Sequence, residues 1–312
     1  TTRIFDKKAV ALQRTGKMGT YASSLGQEAA SIAIGSAMRP EDCYAPTYRD
    51  HGAQYCRGVK MSEILTYWGG DERGSDFSGP RHDFACAIPI ATQCLHAAGA
   101  ALAFKLRDEK RVAVTQVGDG GSSKSDFLET INAASTFDLP LVLVIINNKW
   151  AISMPRSKQC SAKTLAQKGI AAGLPSIQVD GNDIIACQWA MENAIEQARA
   201  GKGPTIIEMI TYRLADHTTA DDARRYREDE EVKNAWQIEP VKRLRRYLKA
   251  QGAWNDRKEL ELLKHAAVEV DAAVKEYLSA DDPDIEGMFD YLYETMPAEI
   301  ETQRQRALEN QG

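Results

Sequence analysis

RVAVTQVGDGGSSKSDFLETINAASTFDLPLVLVIINNKW, residues 111–150, reads as strand, tight turn, helix and strand. Val112, Val114 and Val117 belong to a β-branched run that stops at Gly118-Asp119-Gly120-Gly121. Phe127, Leu128, Ile131, Ala134 and Ser135 then recur at helical spacing. Pro140 precedes a near-continuous apolar run that ends at Asn147-Asn148. Strands apolar on both faces belong to parallel sheets covered by helices on each side. The helical crossover brings both strand ends to one rim, where open α/β sheets bind their ligands.

Magnitudes support that geometry. A strand of about seven residues spans about 23 Å, and a helix of about 14 residues spans about 21 Å, so the second strand can start level with the first. Asp119 and Asn148 are then expected at the same rim, with backbones about 4.8 Å apart. One charged and one neutral oxygen at that spacing can share a Mg²⁺ at about 2.1 Å. The glycines beside Asp119 let backbone N–H groups approach a phosphate at the start of the next helix. Spacing alone leaves the other option open, an ordinary βαβ unit whose Asp and Asn only cap turns. GDGGSS does not complete GxGxxG, because Ser123 takes the last glycine position, which disfavours a nicotinamide dehydrogenase.

GDG followed by 26 residues and NN resembles the thiamine diphosphate motif. Together with NNKWAIS and AKTLAQKGIAAGLPSIQVDG, the chain is similar to the α subunits of 2-oxo acid dehydrogenase complexes, those of the heterotetrameric pyruvate dehydrogenase type above all. The likeness runs from LGQEA near the start to ETMPAEIETQ near the end. It implies a thiamine diphosphate-binding fold, with thiamine diphosphate and Mg²⁺ as cofactors and a small 2-oxo acid as substrate. It implies two partners, a β subunit in an α2β2 heterotetramer and the lipoyl acyltransferase of the complex. The carboxylate needed for proton transfer at the cofactor would come from the β subunit. A branched-chain 2-oxo acid enzyme of the same kind is the alternative, since IPIATQ and VDGND echo it, although Ile146 replaces a polar residue of those relatives. A non-catalytic scaffolding subunit would have no need of Asp119, Asn148 and Arg49 together.

The resemblance also implies a site. Asp119, Asn148 and the backbone carbonyl of Trp150 would ligate Mg²⁺; relatives carry a smaller aromatic residue in place of Trp150. Gly118, Gly120 and Gly121 would line the diphosphate. Tyr48-Arg49 matches the pair whose arginine takes the terminal phosphate, a dianion that suits a bidentate guanidinium better than an ammonium. Ile88 and Ile90 match positions that clasp the aminopyrimidine ring through backbone groups. His217 matches the histidine that reaches the phosphates and helps engage the lipoyl group, and is the expected catalytic residue. Thr218 follows, where some relatives are phosphorylated on serine. Thr92 and Gln93 match two residues of a monovalent-cation site whose serine is replaced here by Ala87.

The 312 residues carry a net charge of −5, with a pI of about 5.7, which argues against general nucleic-acid or anionic-membrane binding. The cysteines at 43, 56, 86, 94, 160 and 187 form no CxxC pair and have no zinc spacing, so free thiols in a reducing compartment are expected. That compartment would be the cytoplasm of a bacterium or the mitochondrial matrix of a eukaryote. No apolar stretch reaches 18 residues. TTRIFDKKAV reads as mid-helix sequence, and similar proteins have residues before it, so a missing N-terminus is expected.

The fold expected is a doubly wound, mostly parallel α/β sheet with helical N- and C-terminal extensions. A single domain is expected, with its cofactor core at about 40–235 and a C-terminal helical extension at about 236–312. Two helices are expected within 1–38, then polar connections through YAPTYRDHGAQYCRG and a helix at about 62–68. A loop should cover 69–85 and another 152–165. A strand at 176–179 should be followed by a helix from about 183 to 200, with Ile184, Ile185, Trp189, Ala194 and Ile195 inward. Thr205–Tyr212 reads as another strand. The charged run 213–231 reads either as a mobile, solvated loop or as the carrier of His217. From Pro240 onward the chain reads as helical, with Leu260, Leu263, Ala267, Val270 and Val274 on one face and Lys242, Arg243, Arg245 and Arg246 on a solvated one.

Overall fold

In the computed structural model, which describes residues 1–290 and 292–310, the apolar runs become the strands of one sheet. In chain order the elements are α1 (Thr2–Arg14), α2 (Glu28–Ala37), β1 (Cys43–Ala45), α3 (His51–Arg57), α4 (Met61–Trp68) and α5 (Thr92–Leu106). The centre of the chain supplies β2 (Ala113–Gly118), α6 (Ser125–Thr136), β3 (Leu141–Asn147), β4 (Trp150–Ala151) and β5 (Met154–Pro155). Then come β6 (Ser176–Asp180), α7 (Ile184–Arg199) and β7 (Thr205–Ile210). The remaining helices are α8 (Asp229–Gln237), α9 (Pro240–Ala250), α10 (Asp256–Leu278), α11 (Gly287–Asp290) and α12 (Ala298–Glu309).

The main sheet has the order β1-β2-β3-β7-β6 and every pairing in it is parallel. β3 alternates between the two faces: Leu141, Leu143 and Ile145 pack under α5 and α6, while Val142, Val144 and Ile146 pack under α2 and α7. That alternation explains the unbroken apolar run of 141–146, since both faces are covered. The β2–α6–β3 and β6–α7–β7 crossovers advance in opposite directions across the sheet, which sends their helices to opposite faces under the right-handed rule. This is the doubly wound, mostly parallel architecture expected. Beside the sheet, α1, α4 and α10 share a third core of Phe5, Leu12, Met61, Leu65, Val270 and Val274.

Several local expectations are corrected. The polar connection at 51–57 is the short helix α3, and β1 is a strand of three residues, too short to leave a periodic signal. On α7 the buried stripe is Cys187, Ala190, Met191, Ala194, Ile195 and Ala198. Ile185 and Trp189 lie outside it, Trp189 63% exposed; small residues, rather than the large ones, let this helix sit close to the sheet. Leu260 and Leu263 are likewise exposed, and α10 buries Ala266, Val270, Ala273 and Val274. Within the basic run of α9, Arg243 pairs with Asp180 and Asp183, and Arg245 with Glu259. The charged run after β7 is not freely solvated: Arg213, Ala223 and Arg227 are buried.

Candidate active site

At the carboxyl edge of the sheet, Gly118 stands opposite Ile146, so Asp119 is level with Asn147 and one step from Asn148. The Asp119 amide donates to Ile146 O at 3.2 Å, which fixes the turn at the strand end. Gly120 is required here, because a Cβ at that position would come within 2.5 Å of Ala151 Cβ. The β4–β5 ribbon packs against the GDG turn through that contact. Its two-residue hairpin loop needs a positive φ at its first residue, and Ile152 supplies it at 53°, a strained conformation for a β-branched side chain.

These turns enclose a cavity of about 350 Å³. Tyr48, Arg49, Ile90, Gly118, Asp119, Gly120, Asn148, Trp150 and His217 line it, as expected from the sequence. Gly121 does not line it, and Ile88 faces a neighbouring groove with Tyr67 and Trp68, 54% exposed. Thr92 also lies outside the lining, whereas Gln93 is part of it, its Nε2 donating to Gln116 O at 2.8 Å.

Asp119 is 1% exposed. Its Oδ2 accepts from Gln159 Nε2 at 2.8 Å, and its backbone carbonyl accepts from Ser122 Oγ at 2.7 Å. Burial pushes the carboxyl above its ordinary range, against the Gln159 hydrogen bond that favours the charged form. Asn148 donates through Nδ2 to Gln27 Oε1 at 3.0 Å and accepts from the Trp150 amide at 3.2 Å. Gln27 is brought there by Gly26, whose φ of 91° allows the turn; a Cβ on Gly26 would collide with the Tyr212 carbonyl.

On the opposite wall, Arg49 spans two distant loops. Its Nη1 donates to Ser23 O at 2.5 Å and its Nη2 to His217 O at 2.8 Å, with His217 Nδ1 at 3.2 Å. The guanidinium lies over the Tyr48 ring, 5.4 Å from its centroid. Arg213, 0% exposed, donates from Nη1 to Trp150 O at 3.2 Å and from Nη2 to Ile152 O at 2.8 Å and Tyr226 Oη at 2.9 Å. Its Nη1 also lies 3.4 Å from His217 Nδ1. An arginine can only donate, so His217 Nδ1 is an acceptor and the ring carries its proton on Nε2.

Burial and the two guanidinium groups push the His217 pKa down to about 4. The folded value lies below the usual value of about 6.5 in an unfolded chain. Above pH 6.5 both states are neutral. As pH falls from about 6.5 to about 4, the unfolded chain takes up a proton that the folded chain refuses, so folding stability is lost over that window. Urea unfolding of the wild type and of His217→Gln should therefore diverge below pH 6.5, the wild type losing more stability.

The charge arrangement is the central feature. Among the described residues Asp119 has no cationic partner, and neither Arg49 nor Arg213 has a carboxylate within 4.0 Å. Buried charges are ordinarily paired or bound to metals. Here a lone carboxylate in the lining faces the unpaired Arg49 guanidinium, with Arg213 buried behind the lining, which suits a divalent cation bound to a polyanion. Buried atoms without hydrogen-bond partners add to this: Gln27 Nε2, Gln93 Oε1, Gln116 Oε1 and Gln159 Oε1 all belong to residues at or beside the cavity. Among the described residues, Asp119 is the only carboxylate in the lining.

Gln27, Lys124, Gln159 and Arg213 were not singled out by sequence. Gln27 sits in LGQEA and Arg213 lies three residues beyond the end of β7, and those positions are the signals that could have identified them.

A family model described as "Dehydrogenase E1 component" matches residues 1–286. The pyruvate dehydrogenase E1 component subunit alpha of Staphylococcus epidermidis is 42% identical over 303 residues, covering 97% of this chain and 82% of the relative. Its counterpart from Staphylococcus aureus is 41% identical over the same shares.

Proposed function

The chain belongs to the dehydrogenase E1 component family, and from that membership we propose that its cavity holds the diphosphate end of thiamine diphosphate together with one Mg²⁺. It is an α subunit of the pyruvate dehydrogenase type, a thiamine diphosphate-dependent oxidoreductase acting in the decarboxylation of pyruvate. The observation that carries the proposal is that, among the described residues, buried Asp119 has no cation and Arg49 has no anion, and both line the same cavity.

Asp119, Asn148 and the Trp150 carbonyl would hold the metal. Arg49, the His217 Nε2–H and the backbone amide of Gly120 would hold the diphosphate, with Gly118 leaving open space beside it. The ring end of the cofactor would lie toward Ile90, which lines the cavity. When bound, thiamine diphosphate supplies the electron sink for breaking the carbon–carbon bond. The chain's own part is to bind, orient and keep the site dry. Trp150 and Ile146, both buried, give the lining apolar surface, which strengthens each charged contact. His217 acts as a neutral donor, because Nδ1 is committed to the arginines.

Proton transfer has no second carboxylate in the lining to draw on, which supports a β subunit completing the site in an α2β2 heterotetramer. The acyl group would then pass to the lipoyl group of an acyltransferase. Residues 1–312 would act as one cofactor-binding domain. The six free thiols suit a reducing compartment, the cytoplasm in a bacterium or the matrix in a mitochondrion.

The test is coexpression of the chain with its candidate β partner, followed by measurement of CO₂ release from pyruvate and from 2-oxoisovalerate. Pyruvate should be turned over at least tenfold faster, and the chain alone should turn over neither. Preference for 2-oxoisovalerate would make it a branched-chain enzyme; turnover without the partner would overturn the division of labour.

A further inference from the structure

The geometry points to Gln159 as the residue that positions Asp119 for the metal, by tying its carboxylate to the β4–β5 ribbon. The inference rests on the metal assignment proposed above. Gln159 Nε2 donates to Asp119 Oδ2 at 2.8 Å and to Met154 O at 3.0 Å. Both partners are acceptors, so the amide is held in this orientation and its nitrogen faces Asp119.

The position of Gln159 links two of the groups assigned to the metal. Met154 pairs with Ala151 across the ribbon, and Ala151 follows Trp150, whose carbonyl is the backbone group of the set. One amide therefore fixes the carboxylate at the end of β2 relative to the ribbon beyond β3. It engages a single carboxylate oxygen, Oδ2, and leaves Oδ1 for the cation. No other side chain in the described residues donates to the Asp119 carboxylate. Gln159 Oε1 is buried without a partner and would lie 3.8 Å from a Cβ on Gly120, so the amide is packed against the GDG turn on its other side too. Without this hydrogen bond, the Asp119 carboxylate would have to be oriented afresh each time a metal binds. Outer-shell hydrogen bonds of this kind change metal affinity by about 10–100-fold.

The experiment titrates the full chain with Mn²⁺ in the presence of inorganic pyrophosphate, reading free Mn²⁺ by electron paramagnetic resonance. Gln159→Met keeps the length of the side chain and removes the donor; Gln159→Ser, a simple shortening, repeats the reading should the methionine disturb folding. The Mn²⁺ dissociation constant should rise about 10–100-fold. Pyrophosphate binding in the presence of a chelator, which reads the arginine side alone, should stay unchanged. Asp119→Asn is measured alongside. Wild-type Mn²⁺ affinity in the Gln159 variants with loss in Asp119→Asn would overturn the role of Gln159 and leave the metal assignment standing. Tighter Mn²⁺ binding would also overturn it, because the amide would then compete with the metal. Wild-type affinity in all the variants would overturn the metal assignment itself.

Discussion

Asp119→Asn should lose Mg²⁺-dependent binding of thiamine diphosphate by more than about 100-fold, beyond the range of an outer-shell change, and should fold at least as stably as the wild type. The two effects have opposite signs for one reason. Asp119 is buried at the end of β2, where Gln159 is the only side chain among the described residues that donates to its carboxylate, and its carboxyl is pushed up by desolvation. A carboxylate whose folded pKa exceeds its unfolded one costs stability above that pKa, and the cost is relieved as pH falls through it. Asparagine has nearly the same shape and removes that cost at every pH. It also removes the charge that would attract a divalent cation. Titration calorimetry reads the affinity, and urea unfolding of the metal-free chain reads the stability. A variant that both binds poorly and unfolds easily would indicate structural damage and would not support a metal ligand. A variant that binds the cofactor with unchanged affinity would remove Asp119 from the metal set.

That prediction draws on the part of the chain most legible in its sequence. The β2–α6–β3 unit announces itself because both strands are buried on both faces, and such strands must be apolar throughout. The rim positions of Asp119 and Asn148 follow from strand direction alone. Other parts have no comparable signal. On α7, Ala194 and Ile195 are buried as expected, but Cys187, Ala190 and Met191 fill the rest of the stripe while Trp189 points outward; only the neighbouring sheet determines which stripe fits. Gln27 and Gln159 touch the site from 121 and 40 residues away along the chain. A polar residue in a loop has no period, and nothing local marks its partner. The run after β7 shows the same limit from the other side. Its charges suggest a solvated loop, but Thr219 is tied to Tyr21 by two hydrogen bonds and His217 to Asp221. Long-range partners, invisible in composition, turn that run into a wall of the cavity.

The same wall gives the second large effect. Arg49→Lys, which keeps the charge, should still weaken thiamine diphosphate binding by about 10–100-fold, and Arg49→Met should weaken it further. The guanidinium fork reaches Ser23 O with one nitrogen and His217 O with the other. It thereby holds together segments 26 and 168 residues distant along the chain from Arg49. An ammonium is a single point and cannot hold both carbonyls and a phosphate in that geometry. Each charge-assisted hydrogen bond lost is worth about 1.5–3 kcal/mol, which sets the size of the effect. The methionine variant carries an independent signature. After burial, the Arg49 guanidinium does most to hold the His217 pKa near 4, and Arg213 adds to it. Removing Arg49 should therefore let the His217 ring titrate at higher pH, and the stability lost on acidification should shrink. Nuclear magnetic resonance titration of the His217 ring follows the first change directly. An unmoved titration together with weakened binding would mean that Arg49 contacts phosphate without governing His217. A shifted titration with intact binding would place the diphosphate elsewhere in the cavity. Both changes are expected together, because one guanidinium holds the histidine neutral and supplies the charge that an anion in the cavity would meet.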